Sequence, residues 1–323
     1  MIRAKITGLG VYLPQNIVTN DDLAKTLDTS DEWIKSRSGI RQRHIAATGE
    51  TTAQLGYHAA VRALKDASLT IDDIDTIIVA TTTPERTTPS TGAYIQHQFG
   101  VSHGAVFDVQ AACSGFVYGL DTAAARIETG RSQNTLMIAA ETISRITDWQ
   151  DRSTAVLFGD GAGAVVMQAS ETPDKKSGAQ VLGSYLRLDG MLTDILETDG
   201  GASYNQTSGV LRMHGKEVFR HAVRNIASSV EILLEQENMT MDEIDWFIPH
   251  QANLRIIDAV GKKLNFPEAK TIISVDKHAN TSAASIPLAL AVGVEDGRIK
   301  RGDTLMLAAM GAGLSWGSSL VRW

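Results

Sequence analysis

Residues 64–80, "LKDASLTIDDIDTIIVA", recur in outline at residues 234–250 as "LEQENMTMDEIDWFIPH". Each stretch reads as the end of an amphipathic helix, an acidic turn and then an apolar strand. Because the same helix, turn and strand occur twice, the sequence predicts a chain built from two copies of one arrangement.

Two further matches follow in the same order. "DVQAACSG" (108–115) aligns with "DKHANTSA" (276–283) at a slightly shorter offset than the first match. "NTLMIAAE" (134–141) aligns with "DTLMLAAM" (303–310) at an offset between those two. Three matches in one order, with nearly equal offsets, predict an internal duplication of about 170 residues.

The duplication divides the chain into predicted halves at residues 1–170 and 171–323, with the polar stretch "SETPDKKSGAQ" (170–180) as an insertion near the midpoint. Each half alternates helical stretches with short β-rich runs, which is typical of a layered α/β domain with a mainly parallel sheet. Two such halves would pack as pseudo-twofold partners. The alignment then sets Cys113 opposite Thr281 and brings Cys113 close to the "HAN" segment.

The composition predicts a soluble cytoplasmic protein. The chain has 323 residues, 43% of them hydrophobic, and its longest apolar runs are far shorter than the roughly 20 residues of a membrane span. The N-terminus "MIRAKITGLGVYLP" lacks an export pattern, and the single cysteine cannot form an internal disulfide. A net charge of −7 argues against a general nucleic-acid binder, and the eight histidines lack the spacing of a metal site.

That single cysteine, Cys113, lies in "QAACSGF" (110–116), where a strand is expected to turn into a helix. A buried free cysteine is usually inert, so a structural role is one interpretation. The other is a nucleophile, because unpaired N–H groups and the helix dipole at a helix N-terminus stabilise thiolate over thiol.

Two polar side chains and one turn could complete a site around Cys113. His250 lies in "PHQAN" (249–253), after an apolar strand and before a helix, where open α/β sheets commonly bind ligands. Asn280 lies in "HANTSAAS", and the turn "MGAGLSWG" (310–317) could aim N–H groups into a cavity as an oxyanion hole. Taken singly, each also fits a structural role: a satisfied histidine, a helix cap and a tight turn.

Taken together, "AACSGF", "PHQAN", "HANTSAAS" and the closing "GAGLSWGSSLVRW" resemble the β-ketoacyl-acyl carrier protein synthase III family, the initiating condensing enzymes of bacterial fatty acid synthesis. "SDEWIKSRSGIRQRHIA" (30–46) is similar to the coenzyme A-binding segment of that family. The resemblance implies the thiolase fold, a five-layered αβαβα sandwich of two duplicated halves, usually as a homodimer. It also implies decarboxylative Claisen condensation of an acyl-CoA primer with malonyl-acyl carrier protein.

The resemblance assigns roles to individual residues. Cys113 would be the acyl-accepting nucleophile, and His250 and Asn280 would bind the malonyl thioester carbonyl. The backbone N–H groups of Cys113 and Ala312 would form the oxyanion hole. The expected coenzyme A contacts are Trp33, Arg37, Arg152, Phe219 and Asn253.

Two departures from the family pattern stand out. Ala312 takes the place of the middle glycine that many members have, and its N–H can still serve if its backbone angles are ordinary. Thr87 and Thr88 stand where many relatives place a bulky aromatic beside the acyl pocket. They predict primers larger than acetyl, such as short branched chains.

Acyl carrier proteins are acidic, so a chain with a net charge of −7 needs a local basic face to bind one. Arg255, Lys262 and Lys263 are spaced by seven and eight residues on the helix after "PHQAN", which places them on one side of it, and Arg220 would extend the patch. A merely solvated face is the alternative interpretation.

Other functions remain open at this point. Cys, His and Asn also occur together in papain-like hydrolases, so an acyl-thioester hydrolase is the main enzymatic rival. A condensing enzyme of secondary metabolism and a degenerate acyl-binding paralogue are further alternatives. A biosynthetic thiolase fits less well because its proton transfer uses a second cysteine. No permanently bound cofactor or metal is expected, since coenzyme A enters as a substrate.

Overall fold

The computed structural model describes residues 1–171 and 178–323. Its strands are β1 (Ile2–Tyr12), β2 (Ile17–Thr19), β3 (Gln42–His44), β4 (Thr76–Ala80), β5 (Ala105–Val109), β6 (Asn134–Thr142), β7 (Asp160–Glu171), β8 (Gln180–Leu188), β9 (Leu196–Thr198), β10 (Leu211–Met213), β11 (Trp246–Pro249), β12 (Thr304–Gly311) and β13 (Ser315–Arg322). Its α-helices are α1 (Asn20–Ala24), α2 (Asp31–Ser38), α3 (Thr52–Asp66), α4 (Thr91–Phe99), α5 (Gly115–Glu128), α6 (Arg152–Ala155), α7 (Gly215–Glu237), α8 (Leu254–Lys263), α9 (Val275–His278) and α10 (Ser285–Glu295).

Two sheets with the same strand order organise these elements. The first has the order β1-β7-β6-β4-β5, and the second has the order β8-β13-β12-β11. In the first, β4 runs parallel to β5 and β6, while β7 is antiparallel to β6 and β1. The second repeats this pattern, and a single bridge between Phe247 and Thr271 stands where β5 pairs with β4.

Helices cover both faces of each sheet. The first core cluster joins Phe116 of α5 and Leu288 of α10 to Met137 of β6 and Leu307 of β12, so α5 and α10 lie between the sheets. Helices α3 and α4 pack on the outer face of the first sheet, and α7 and α8 on that of the second. This arrangement of layers confirms the predicted αβαβα sandwich. Helices cover both faces of each sheet, so the side chains that alternate along a strand are buried on both sides.

The structural repeat keeps the offset of the first sequence match at the start of β4 and β11, of α5 and α10, and of β6 and β12. Helix α5 begins at Gly115 and α10 begins at Ser285, and each follows a one-turn 3₁₀ helix. In the first half the N–H of Asn134 donates to the Asp75 carboxylate, and in the second the N–H of Thr304 donates to Asp245. The same N–H to carboxylate hydrogen bond therefore forms at the start of β6 and of β12.

The other two sequence alignments were consequently wrong in register. Met137 faces the central layer, whereas Met306 packs against the outer helices, although the sequence match paired them. A slip of one residue moves a side chain to the other face of a sheet, so the matching letters conceal opposite orientations. In the same way Cys113 lies opposite Ala283, not Thr281.

The junction of the halves is described only in part. Strand β7 of the first sheet ends at Glu171, and β8 of the second begins at Gln180. The predicted insertion at residues 170–180 lies largely outside the described residues, and the division into 1–170 and 171–323 stays a prediction. Among the described residues, every helix is too short or too polar to cross a bilayer.

Candidate active site

A cavity of about 920 Å³ lies between the two halves and opens at the ends of their strands. Its walls include Cys113, His250, Asn280 and Ala312, so the structure brings the predicted catalytic residues together. Cys113 comes from the first half and the other three come from the second. A single cavity thus joins groups that lie far apart along the chain.

Cys113 is held in a tight turn between β5 and α5. The preceding residue, Ala112, has φ +47°, a left-handed conformation that costs a non-glycine residue energy and is common at functional turns. Two hydrogen bonds tie the turn to β13: the Ser114 hydroxyl donates to the Ser315 carbonyl, and the Ser315 hydroxyl donates to the Ala111 carbonyl. These reciprocal bonds hold the backbone of the Cys113 turn against β13.

The environment of Cys113 favours the thiol. Burial raises the pKa of Cys113 to about 12, while a hydrogen bond with Ser282 lowers it and the nearby Glu141 carboxylate raises it further. The sequence predicted a thiolate stabilised by the N-terminus of α5. Burial acts against that stabilisation, because it disfavours the charged form of the thiol. Ionisation of Cys113 therefore needs an acceptor for its proton.

His250 follows β11 and is fully buried against the second sheet. The backbone N–H of His250 donates to the Ala308 carbonyl, and the ring Nδ1 lies 2.6 Å from the Ser285 hydroxyl. That oxygen also accepts the N–H of Gln251, so its own hydrogen is available to Nδ1 and the imidazole proton is placed on Nε2. Burial lowers the pKa of His250 to about 3, which keeps the ring neutral.

Asn280 presents its amide group to the same cavity. Its Oδ1 accepts the N–H of Ser282 at 2.9 Å, and this assigns the NH₂ group to the cavity side. Its backbone is fixed by two bonds to the segment after α6: Asn280 N–H donates to the Leu157 carbonyl and Gly159 N–H donates to the Asn280 carbonyl. His250 and Asn280 together offer two uncharged N–H donors.

The turns that carry Cys113 and Ala312 touch through their backbones. A β-carbon added at Gly311 would lie 2.5 Å from the nitrogen of Cys113, a distance open only to glycine. Ala312 has a backbone outside the left-handed region, so its side chain imposes no strain there. The arrangement suits a pair of N–H donors, and their role as an oxyanion hole stays a prediction.

The expected coenzyme A residues fall into two groups. Arg37, Phe219 and Asn253 line the cavity, and the Asn253 amide donates to the Arg37 carbonyl at 3.2 Å. Trp33 and Arg152 lie outside its lining and stack on each other, with the guanidinium carbon 4.8 Å from the ring centre.

The primer and docking residues are less closely tied to the cavity. Thr87 and Thr88 are exposed, and the structure does not bring them to the cavity of their own chain. Of the four predicted docking cations only Arg255 lines it. The other three are exposed on α7 and α8: Arg220, Lys262 and Lys263.

Sequence reasoning missed three polar residues behind the cavity. Ser285 orients His250, while Ser282 and Glu141 lie against Cys113. The run "TSAAS" suggested only a close helix approach, and a lone glutamate at the end of an apolar strand gave no signal by spacing. Across residues 1–171 and 178–323, acidic, histidine and cysteine side chains form no group that could hold a metal ion.

Comparison with known proteins identifies the family that shares this sequence. A family model described as "3-Oxoacyl-[acyl-carrier-protein (ACP)] synthase III" matches residues 107–190, and the model of its C-terminal part matches residues 234–323. The β-ketoacyl-[acyl-carrier-protein] synthase III of Rhizobium meliloti is 54% identical over 323 residues, which cover 100% of both sequences.

Solved structures agree with the sequence relatives. The 3-oxoacyl-[acyl-carrier-protein] synthase III of Aquifex aeolicus has a TM-score of 0.93 and 45% identity, covering 99% of this chain and 100% of that one. A priming β-ketosynthase of a polyketide biosynthetic pathway has a TM-score of 0.91 and 35% identity, covering 99% and 96%.

The fold and the cysteine, histidine and asparagine around one cavity define a condensing enzyme of the thiolase fold. With more than half of its residues shared with curated relatives over the full length, the chain belongs to the β-ketoacyl-acyl carrier protein synthase III family.

Proposed function

We propose that this chain catalyses the decarboxylative condensation of an acyl-CoA primer with malonyl-acyl carrier protein and so initiates fatty acid synthesis. The carrying observation is the cavity that faces one thiol with two neutral N–H donors, His250 and Asn280. The product is a 3-oxoacyl-carrier protein, released with carbon dioxide and free coenzyme A.

In the first half-reaction the Cys113 sulfur attacks the acyl-CoA carbonyl and forms an acyl-enzyme. The exchange of one thioester for another is close to energetically neutral, so the protein must mainly ionise the thiol and stabilise the tetrahedral oxyanion. The N–H groups of Cys113 and Ala312 are the proposed donors. The close approach of Gly311 to the Cys113 nitrogen brings the two turns together.

In the second half-reaction malonyl-carrier protein loses carbon dioxide and leaves an enolate. The enolate oxygen needs hydrogen-bond donors in a dry site, which His250 Nε2–H and the Asn280 amide provide. Because burial lowers the pKa of His250 to about 3, the ring donates as a neutral imidazole. The enolate carbon then attacks the acyl-cysteine and releases Cys113.

The residues in and around the cavity suggest how the substrates bind. Arg37 and Asn253 would hold the phosphate and pantetheine portions of coenzyme A, with Phe219 as a tunnel wall. The stacked pair of Trp33 and Arg152 would receive the adenine and its phosphates. The exposed cations of α7 and α8 would bind the acidic carrier protein. The enzyme itself would act in the cytoplasm as a homodimer.

The test separates the half-reactions. Cys113→Ser should abolish acyl-enzyme formation, read by intact mass, because an unactivated hydroxyl is a far weaker nucleophile. His250→Ala or Asn280→Ala should slow malonyl decarboxylation by about 100- to 1000-fold while the acyl loading of Cys113 continues. Decarboxylation at the parent rate in either variant would contradict the assignment of the enolate donors.

The hydrolase alternative is less compatible with this cavity. A papain-like enzyme needs an imidazolium beside its thiolate, but burial lowers the pKa of His250 to about 3. A burst of free acid from acyl-CoA without malonyl-carrier protein would nonetheless favour hydrolysis.

Primer range is a separate question for the same site. We expect Thr88→Phe to depress loading of short branched acyl-CoAs more than loading of acetyl-CoA. Because Thr87 and Thr88 are exposed and do not line the cavity of their own chain, we expect any effect to arise where two copies meet. An equal loss of loading for all primers in Thr88→Phe would contradict a role for these residues in the acyl pocket.

A further inference from the structure

A carboxylate for which residues 1–171 and 178–323 supply no ion pair lies behind the Cys113 turn. Glu141, near the end of β6, is fully buried. It accepts hydrogen bonds from the N–H and hydroxyl of Thr82, from the hydroxyls of Thr81 and Thr83, and from Ser282 Oγ at 2.9 Å. Each of these donors is neutral. A charge surrounded by these neutral donors in a buried place is costly, and burial accordingly raises the pKa of Glu141.

Ser282 connects Glu141 to the nucleophile. Its hydroxyl donates to Glu141 Oε1 and lies close enough to the thiol of Cys113 to lower the pKa of that thiol, since the turns that carry the two residues are in contact. A serine hydroxyl has one hydrogen and can accept others. When its hydrogen points to Glu141, its oxygen can accept the S–H of Cys113. When its hydrogen points to Cys113, its oxygen can accept a proton from Glu141.

These two arrangements differ in which group carries the charge. Burial raises the pKa of both Cys113 and Glu141, and the Glu141 carboxylate raises that of the thiol as well. Two adjacent buried anions repel each other, so the pair holds one negative charge, not two. Moving that charge from Glu141 to Cys113 leaves the net charge of the cluster unchanged, which costs less than releasing a proton to water.

We propose that Cys113, Ser282 and Glu141 form a proton relay that generates the thiolate for the function proposed above. The S–H bond of Cys113 breaks and its proton passes to Ser282 Oγ, while the Ser282 proton passes to Glu141 Oε1. Ser282 acts on the reacting sulfur directly. Glu141 acts through it and holds the proton away from the cavity.

The relay balances over the whole cycle. During acyl transfer the thiolate forms the new thioester, Glu141 keeps the proton, and the departing coenzyme A thiolate takes a proton from water. During condensation the enolate attack releases Cys113 as a thiolate. The proton then returns from Glu141 through Ser282 to the sulfur. One external proton is consumed per turnover, as the loss of carbon dioxide from a malonyl carboxylate requires.

His250 is poorly placed for this task. Its Nδ1 lies against the Ser285 hydroxyl, and burial disfavours the imidazolium that it would become as a base. A separate acceptor leaves His250 free to donate from Nε2 in the second half-reaction. The other charged side chains that line the cavity are Arg37, Glu197, Lys216 and Arg255.

Alkylation of the free enzyme by iodoacetamide tests the relay without any acyl substrate, and the single cysteine makes the labelled site unambiguous. In the parent we expect the rate to be nearly constant around neutral pH and to fall at lower pH as Glu141 becomes protonated. In Glu141→Gln, which cannot take the proton, the rate near pH 7 should drop by about 100-fold and then rise about tenfold per pH unit. Glu141→Asp should restore part of the plateau.

The opposite sign would overturn the proposal. If Glu141 only repels the thiolate, removing its charge lowers the pKa of Cys113, and Glu141→Gln is alkylated faster than the parent at every pH. Ser282→Gly carries the test if the glutamine variant fails to fold, because glycine suits the φ of +51° at this position. Parent-like alkylation in Ser282→Gly would equally refute the relay.

A matched control and a second readout separate this idea from the proposed function. Thr142→Val removes a neighbouring buried hydroxyl that bonds to Thr52 and not to Glu141, so its alkylation profile should match that of the parent. Loading of the parent with acetyl-CoA is measured alongside. Failure of the parent to load would refute the condensing activity, whereas a parent-like pH profile in Glu141→Gln would refute only the relay.

Discussion

Gly311→Ala tests how closely the Cys113 and Ala312 turns must approach. The added β-carbon would lie 2.5 Å from the Cys113 nitrogen and 3.0 Å from the Ala112 β-carbon, whereas ordinary contacts begin at 3.4 Å. The turns must therefore separate by about 1 Å at the nitrogen, and displacements of about that size cost about 100-fold in rate, or about 2.7 kcal/mol. Gly311 has φ −143°, which alanine adopts without strain, so the effect is steric.

The assay is the first-order rate of acyl loading on Cys113 from acetyl-CoA, followed by intact mass. We expect a fall of about 100-fold, with unfolding free energy reduced by about 1–3 kcal/mol from overpacking. Gly261→Ala is the matched control, because its β-carbon would meet nothing closer than 3.9 Å and lies in a helix. That control should load normally and gain about 0.5–1 kcal/mol. Loading within threefold of the parent in a folded Gly311→Ala would show that the two N–H groups need no such contact.

Two further predictions concern docking and acid stability. Arg255→Glu with Lys263→Glu should raise KM for malonyl-carrier protein and weaken its salt dependence, with acyl-CoA loading within a fewfold of the parent; the exposed pair Lys65→Glu with Arg131→Glu makes the same charge change and should leave KM unaltered. Equal KM values for both double variants at low ionic strength would place docking elsewhere. The folded pKa of His250, about 3, lies below its ordinary value of 6.5, so the unfolded chain binds more protons between these values and stability falls as pH drops. From about pH 7.5 to about pH 5 the parent should lose about 2 kcal/mol more unfolding free energy than His250→Gln in urea titrations, and equal losses would contradict a buried neutral histidine.

The sequence predicted the layers better than the register. Helix, acidic turn and strand at residues 64–80 and 234–250 gave both the duplication and its true offset, because caps and apolar periods are local signals. The matching letters around Met137 and Met306 misled, since both faces of a central strand are buried and tolerate the same residue types. Alternation between faces is set by hydrogen-bond register, which no single strand encodes.

The sequence singled out the residues of the site that belong to rare types, such as the lone cysteine. It did not single out the residues that belong to common types, such as serine and glutamate. Cys113, His250 and Asn280 stood out only together, through the duplication and their shared motifs, since each taken singly also fits a structural role. Ser282 and Glu141 belong to types that occur everywhere on surfaces, and only burial marks them. The pKa of Glu141 is raised by desolvation, which is a property of the assembled fold and not of a segment.

The duplication itself explains why a hydroxyl stands beside the nucleophile. The one-turn 3₁₀ helices before α5 and α10 are equivalent, and Ala112 and Ser282 occupy the same position in them with φ of +47° and +51°. The pseudo-twofold axis brings these turns into contact, since a β-carbon at Gly115 would lie 3.2 Å from that of Ala283. One copy of the turn therefore carries the thiol and the other copy offers its hydroxyl to it. If this pairing serves ionisation, Ser282→Gly should change the pH profile of Cys113 without moving either helix.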